Sequence, residues 1–378
     1  MINSVINNPA FVIITVSALV GIASSLLGTF LVLRKNSMLS DAISHSILLG
    51  IVLVYLLTQN QYSPFFILGA AATGVLTVFL TEAIVSSGRV KNDAAIGLVY
   101  PFLFAVAVLL INVYASNVHI DTDAVLVGAV EFAWINTVNL GGVAVSLPLL
   151  SMLAVTLLNT LFVVLFYKEL KLITFDPSLG AALGFSPTLV FYALLSLTSI
   201  TAVTAFDAVG AVLLVAFVIV PPSAAYLLTD KLWRMLLYGV LISVTSAVLG
   251  YVSAVWLDVS IGGMMAVYTG VFLLLAFLLG PRYGLIAQEI RRSRQREQNE
   301  ARTLMVHLYN HEDDAGSEES ELAALRTHLR WSDTKAQHVL EYSLDNKLVT
   351  QAKERLLLTA KGRVLAQEVL EPWKLQAK

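Results

Sequence analysis

Long apolar runs separated by short polar breaks fill the first 280 residues. A helix crossing the hydrocarbon core of a bilayer needs about 20 mostly apolar residues. Nine stretches qualify: 10–33, 42–57, 64–85, 94–113, 148–167, 188–206, 209–228, 235–257 and 262–280. The pattern predicts eight or nine transmembrane helices; the short second span and the pair flanking Asp207 are its least regular members. The segment 124–147 is apolar in part, but it carries Glu131, Trp134 and Gly141-Gly142 and reads as re-entrant or surface-lying.

Past Pro281 the pattern changes. The run IAQEIRRSRQREQNE (286–300) is basic, and Ala301–His311 has helical spacing. Residues 312–321 form an acidic loop, and Leu322–Trp331 reads as a helix. Ser332 or Asp333 can cap another helix running to about Leu344. Lys347–Thr359 reads as a two-stranded wing, followed by a helix over Val364–Leu370. The expected organisation is a transmembrane domain over 1–283, a basic juxtamembrane helix over 284–300, and a cytoplasmic domain over 301–378. The fold class is therefore an all-α polytopic membrane protein with a small α+β C-terminal domain.

Composition supports the division. Of the 378 residues 57% are hydrophobic and 13% charged, against about 25% charged in soluble proteins. Residues 1–280 hold 8 of the 24 Lys and Arg, while the last 98 residues hold 16. There are no cysteines, which excludes disulfides, thiolate metal sites and iron–sulfur clusters. The N-terminus lacks the basic stretch of a cleavable signal peptide, so the first apolar run is expected to be a membrane span.

The eight basic residues of the membrane region fall in four pairs: Arg34/Lys35, Arg89/Lys91, Lys168/Lys171 and Lys231/Arg234. They occupy every second connection. Cytoplasmic loops carry the excess of Lys and Arg, so nine spans place the N-terminus outside and the tail in the cytoplasm. The opposite connections carry His119, Asp121, Asp123 and Asp258. His119, Asp121, Asp123 and Asp207 are candidates for an outer cation entry, with a solvated loop, or a helix break at Asp207, as the plainer alternative.

Asp41 and His45 stand four apart in Ser37-Met-Leu-Ser-Asp41-Ala-Ile-Ser-His45, which puts them on one helix face. An ionisable group inside a span is costly and usually faces a cavity, a partner or a pathway. A carboxylate with a neutral imidazole suits manganese, zinc or ferrous ion. Both must be deprotonated to bind, so uptake is expected to weaken in acid. A structural role is the alternative, with Asp41 capping the helix start and His45 bonding a neighbouring helix. Two ligands do not complete a site; the rest would come from another helix, a second subunit or water.

Between two spans lies Phe175-Asp176-Pro177-Ser-Leu-Gly180-Ala-Ala-Leu-Gly184. Asp176-Pro177 reads as a helix start and Gly184 as a stop. The product is a short cytoplasmic helix, suited to docking into a partner or serving as a plain connector. No G-x-x-x-x-G-K-[ST] phosphate loop occurs, and no catalytic dyad stands out. The chain is not expected to be an enzyme, and ATP hydrolysis, if transport needs it, falls to another polypeptide.

Three stretches together resemble a known family. Leu33–Ser46, Phe175–Gly184 and the run VGAVLLVAFVIVPPSAAY (209–226) are similar to the permease subunits of bacterial manganese, zinc and iron ABC importers. The resemblance covers about 10–280. It implies a multi-pass protein of the bacterial cytoplasmic membrane whose cargo is a divalent metal, manganese ahead of zinc or iron. It further implies a second permease copy or paralogue, a cytoplasmic ATPase subunit and an extracytoplasmic metal-binding protein. By the same resemblance Asp41 and His45 line the metal path, and Asp176, Gly180 and Gly184 belong to the ATPase-contact loop.

The tail resembles the winged helix of metal-dependent repressors. Over 322–378 it carries 10 Lys and Arg against 6 Asp and Glu. Its recognition-helix position offers Lys335, Gln337 and His338 but also Asp333 and Glu341, a thin set for reading bases. DNA is thus not an expected partner, and a former DNA reader used for protein contacts fits better. The basic run at 286–300 is expected to meet anionic lipid headgroups. His307 and His311, beside Glu312, are a further metal candidate, with solvation as the plainer reading. A membrane-tethered regulator and an ion-coupled secondary transporter are the competing functions.

Overall fold

The computed structural model describes residues 8–59, 65–114, 130–140, 143–312, 328–352 and 355–374. Its contacts divide the chain into two units, Met1–Gly284 and Leu285–Lys378.

The first unit is built from α1 (Pro9–Leu33), α2 (Met38–Thr58), α3 (Phe66–Ser86) and α4 (Asn92–Tyr114). A 3-10 turn (Val130–Phe132) and a hairpin of β1 (Thr137–Leu140) and β2 (Val143–Ser146) follow. Then come α5 (Leu147–Leu165), α6 (Tyr167–Phe175), α7 (Pro177–Ala182), α8 (Pro187–Leu228), α9 (Leu232–Leu257) and α10 (Ile261–Leu279). Among the described residues, nine helical segments are long and apolar enough to cross a membrane. Outward faces stay apolar, with Leu68, Phe79, Leu157 and Trp256 exposed, as lipid requires.

α8 counts twice. Drawn straight, Phe191 to Val218 would span about 40 Å. Yet Phe191 lies under the Arg34 guanidinium at 4.2 Å, and Val218 packs its carbonyl on Gly28, only about 9 Å back along α1. The chain therefore doubles back. The reversal is at Gly210 (φ 72°, ψ 172°), a conformation essentially reserved for glycine. The break foreseen beside Asp207 thus falls three residues later. Gly210→Ala is expected to cost roughly 1–3 kcal/mol, read as a lower melting temperature in detergent. An unchanged melting temperature would show that the turn tolerates a side chain.

α1 is the core of the bundle, with Val16, Val20, Leu27, Phe30 and Leu31 buried. Small residues allow the close approach on which helix association in lipid depends. A Cβ on Gly28 would lie 1.9 Å from the Val218 carbonyl oxygen, and one on Gly250 would lie 2.5 Å from the Met265 Cα. Buried polar links add specificity: Asn159 donates to Thr201 (2.7 Å) and Thr77 to Ser46 (2.7 Å).

The hairpin was not foreseen. The segment read as re-entrant or surface-lying contains antiparallel β1–β2, with Leu140 paired to Val143. Ser146, buried, donates to the Ala133 carbonyl at 2.6 Å and caps α5. Glu131 accepts the Ile261 N–H at 3.3 Å, at the start of α10.

The second unit contains α11 (Leu285–Asn310), α12 (Asp333–Asp345), β3 (Val349–Ala352), β4 (Arg355–Leu358) and α13 (Ala360–Lys374). Its own core gathers Leu304, Met305, Leu308, Val339, Leu348 and Leu356. The basic run and the helix expected at Ala301 are one continuous α11. The helix expected over Leu322–Trp331 does not reach its predicted end: 328–331 is turn and irregular chain, and Arg330 has φ 51°, which no right-handed helix continues. Residues 322–327 lie outside the described residues.

Candidate functional site

The site begins where α1 stops. Lys35 adopts a left-handed conformation (φ 59°). Asn36 N–H bonds the Leu31 carbonyl (2.9 Å) and Lys35 N–H the Val32 carbonyl (3.0 Å). This pairing is a Schellman stop, made here without glycine. The chain turns at once into α2, and Asn92 Nδ2 donates to Asn36 Oδ1 (3.0 Å), which ties the start of α4 to the start of α2.

Asp41 lies in the first turn of α2 and His45 one turn on. His45 Nε2 sits 3.5 Å from Asp41 Oδ1, with side chains 33% and 35% exposed. The pair is joined, and both side chains are partly exposed. Tyr100 stacks on the imidazole with centroids 5.7 Å apart, and Phe104 meets it edge-on at 6.3 Å. These two rings form a wall that spacing along the chain did not reveal. Asp41 is not the helix cap: Ser37 holds that place, without a side-chain cap bond. Ser44, placed near the same face by spacing, is buried.

Around the same end of the bundle, Arg34 lies over Phe191, and Tyr192 donates to Glu82 Oε2 at 2.8 Å. Burial pushes the Arg34 guanidinium below its usual value, and Glu82 partly offsets this. Among the described residues no three His, Asp or Glu side chains are already gathered to hold a metal. Asp41 and His45 are two candidate donors brought together on one face of α2.

The Asp176 loop is built as expected. The carboxylate accepts the Leu179 N–H (2.9 Å) and the Ser178 hydroxyl (2.6 Å), bonds that hold it below the usual carboxylate range. Gly180 is buried against Ile173. Gly184 (φ 89°) closes α7, with Phe185 N–H on the Gly180 carbonyl at 3.1 Å. Phe175, Leu179, Leu183 and Phe185 are exposed along this loop. His119, Asp121 and Asp123 lie outside the described residues, as does the Asp207 side chain.

In the tail, His307 is ringed by His311 (centroids 5.1 Å) and His328 (6.0 Å). Lys335 pairs with Glu300 at 3.0 Å and His338 with Glu297 at 3.3 Å.

Nine helical segments among the described residues, each long and apolar enough to cross a bilayer, define a multi-pass membrane protein. Residues 10–280 match the ABC 3 transport family, and the chain belongs to that family. It is 47% identical to the manganese transport system membrane protein MntD of Bacillus subtilis (strain 168) over 280 residues, 74% of this chain and 95% of that one. It is 41% identical to the zinc transport system membrane protein TroD of Treponema pallidum (strain Nichols) over 362 residues, 95% of this chain and 98% of that one. Among solved structures, PsaBC from Streptococcus pneumoniae in complex with Fab aligns with TM-score 0.60 at 27% identity, covering 72% of this chain and 91% of that one.

Proposed function

We infer that this chain is the membrane permease of an ATP-driven importer of a divalent transition metal, with manganese the favoured cargo. The observation that carries the reading is the Asp41–His45 pair, held 3.5 Å apart on an accessible helix face in a chain of this family. A carboxylate oxygen and an imidazole nitrogen suit manganese, zinc and ferrous ion alike. The relatives' names point to the same cargo class, one manganese and one zinc. A second permease supplies further ligands, an extracytoplasmic binding protein delivers the ion, and a cytoplasmic ATPase drives the cycle. The four basic loops face the cytoplasm, and the basic face of α11 lies at anionic headgroups.

Energy enters at Asp176–Gly184. The short capped helix presents apolar residues in a cytoplasmic loop, as a partner's groove requires. Asp176→Ala removes the cap and is expected to lower ATP-coupled uptake while the permease still co-purifies with metal; Asp176→Asn, which can still accept the Leu179 N–H, should retain most activity. Equal loss in both would mean that the charge, not the cap, matters. Because the carboxyl is depressed in the folded protein, its contribution is complete above the unfolded carboxyl value. It fades only as pH falls through the depressed value, so it is intact near neutrality.

The order α12, hairpin, α13 supports the winged-helix reading of the tail, which serves protein contacts rather than DNA. Lys335 and His338 of α12 are engaged by Glu300 and Glu297 of α11, which leaves less of that helix free for phosphates. A tethered regulator is accordingly the weaker reading.

The test is uptake of radiolabelled manganese and zinc into vesicles holding the permease with its ATPase. ATP-dependent accumulation is expected. Accumulation that runs at full rate without ATP, on a proton gradient, would establish a secondary transporter and sink the proposal.

A further inference from the structure

α4 lies beside the Asp41–His45 pair, and its backbone is interrupted there. α2 and α4 run side by side in the same direction, with partners some 50–59 residues apart. Asn36 bonds Asn92, a separation of 56 residues; His45 meets Tyr100 and Phe104; Leu49 packs with Val99, Leu103 and Ala107. Near the helix starts the offset is close to 56, which sets Gly97 at about the level of Asp41. Gly97 is exposed, and a Cβ there would meet nothing within 4 Å. One turn later, inside α4, stands Pro101. Proline has no N–H, so the Gly97 carbonyl loses its helical partner. A bare carbonyl in a membrane is tolerated where it lines a cavity or finds another partner.

We propose that the Gly97 carbonyl is an oxygen ligand for the transported ion beside Asp41 and His45, and that Pro101 keeps it available. The proposal rests on the reading that Asp41 and His45 line the metal path. A carbonyl added to a carboxylate and an imidazole makes the donor set richer in oxygen. Carbonyl and carboxylate oxygen suit manganese better than zinc, so Pro101 acts as a selectivity residue through the backbone.

The experiment uses the complete transporter, permease with ATPase and binding protein, and compares wild type, Pro101→Ala, Pro101→Gly and Asp41→Ala. Manganese and zinc uptake are measured side by side, with manganese binding to the purified permease–ATPase complex as a second readout. Both Pro101 variants return an N–H to the Gly97 carbonyl. Manganese uptake and binding should fall roughly tenfold, the worth of one contact to a charged group, with zinc falling less. Unchanged uptake, or an equal fall for both metals at normal protein levels, would overturn the carbonyl assignment while Asp41→Ala still abolishes transport. If Asp41→Ala itself transports normally, the metal-path reading fails and the carbonyl ligand falls with it.

Discussion

Asp41→Ala and His45→Ala should each stop metal uptake while leaving the permease folded and assembled with its ATPase. Loss of a supporting partner around a metal typically costs 10–100-fold; removal of a direct ligand should cost more. Folding should survive, because both side chains are about one-third exposed. Neither variant empties a packed core position. Asp41→Asn separates the two roles of the carboxylate: the amide keeps a polar contact with His45 but lacks the charge that binds a cation. If the pair is a metal site, Asp41→Asn fails like Asp41→Ala; if it only braces the helix, Asp41→Asn transports. His45 carries a second signature, because Tyr100 and Phe104 hold its ring. Replacing both rings by Leu should weaken metal binding less than His45→Ala, since the ligand remains but its orientation loosens.

The largest effect on stability is expected at Gly28. Its Cβ would lie 1.9 Å from the Val218 carbonyl oxygen and 2.8 Å from the carbonyl carbon, and backbone cannot rotate aside as a flexible side chain can. Gly28→Ala must therefore push α1 from the second half of α8. Overpacking in a core costs about 1–3 kcal/mol. In lipid the loss bears on the main source of helix association, since close van der Waals approach replaces the hydrophobic drive available in water. The variant should show low yield, a lowered melting temperature in detergent and loss of uptake. Gly270→Ala is the control: a Cβ there meets nothing within 4 Å, so it should behave as wild type. Equal behaviour of the two variants would show that α1 and α8 are not held at this contact.

Much of this was legible in the chain. The spans were, because a bilayer demands about 20 apolar residues and few soluble patterns imitate that. The start and stop of α7 were legible too, since Asp-Pro and Gly are local signals that act within a turn. Lys35 was harder: it performs the left-handed stop usually given to glycine, and nothing in a lysine announces that. The hairpin β1–β2 had a cue in Gly141-Gly142, a two-residue turn sequence, but the apolar surroundings favoured a membrane-lying reading. The predicted end of the tail helix at Trp331 followed local spacing, which Arg330 overrides.

The order of residues already carried the span list, the alternation of basic loops and the i,i+4 placement of Asp41 and His45. All of these depend on neighbours in the chain and on the bilayer's thickness. Packing in three dimensions was needed to show that Tyr100 and Phe104 flank His45, that Gly28 receives Val218, that α8 folds back at Gly210, and that α11 glutamates hold Lys335 and His338. Such pairings join residues far apart in the chain. They follow from the register in which helices pack, which short-range periodicity does not encode.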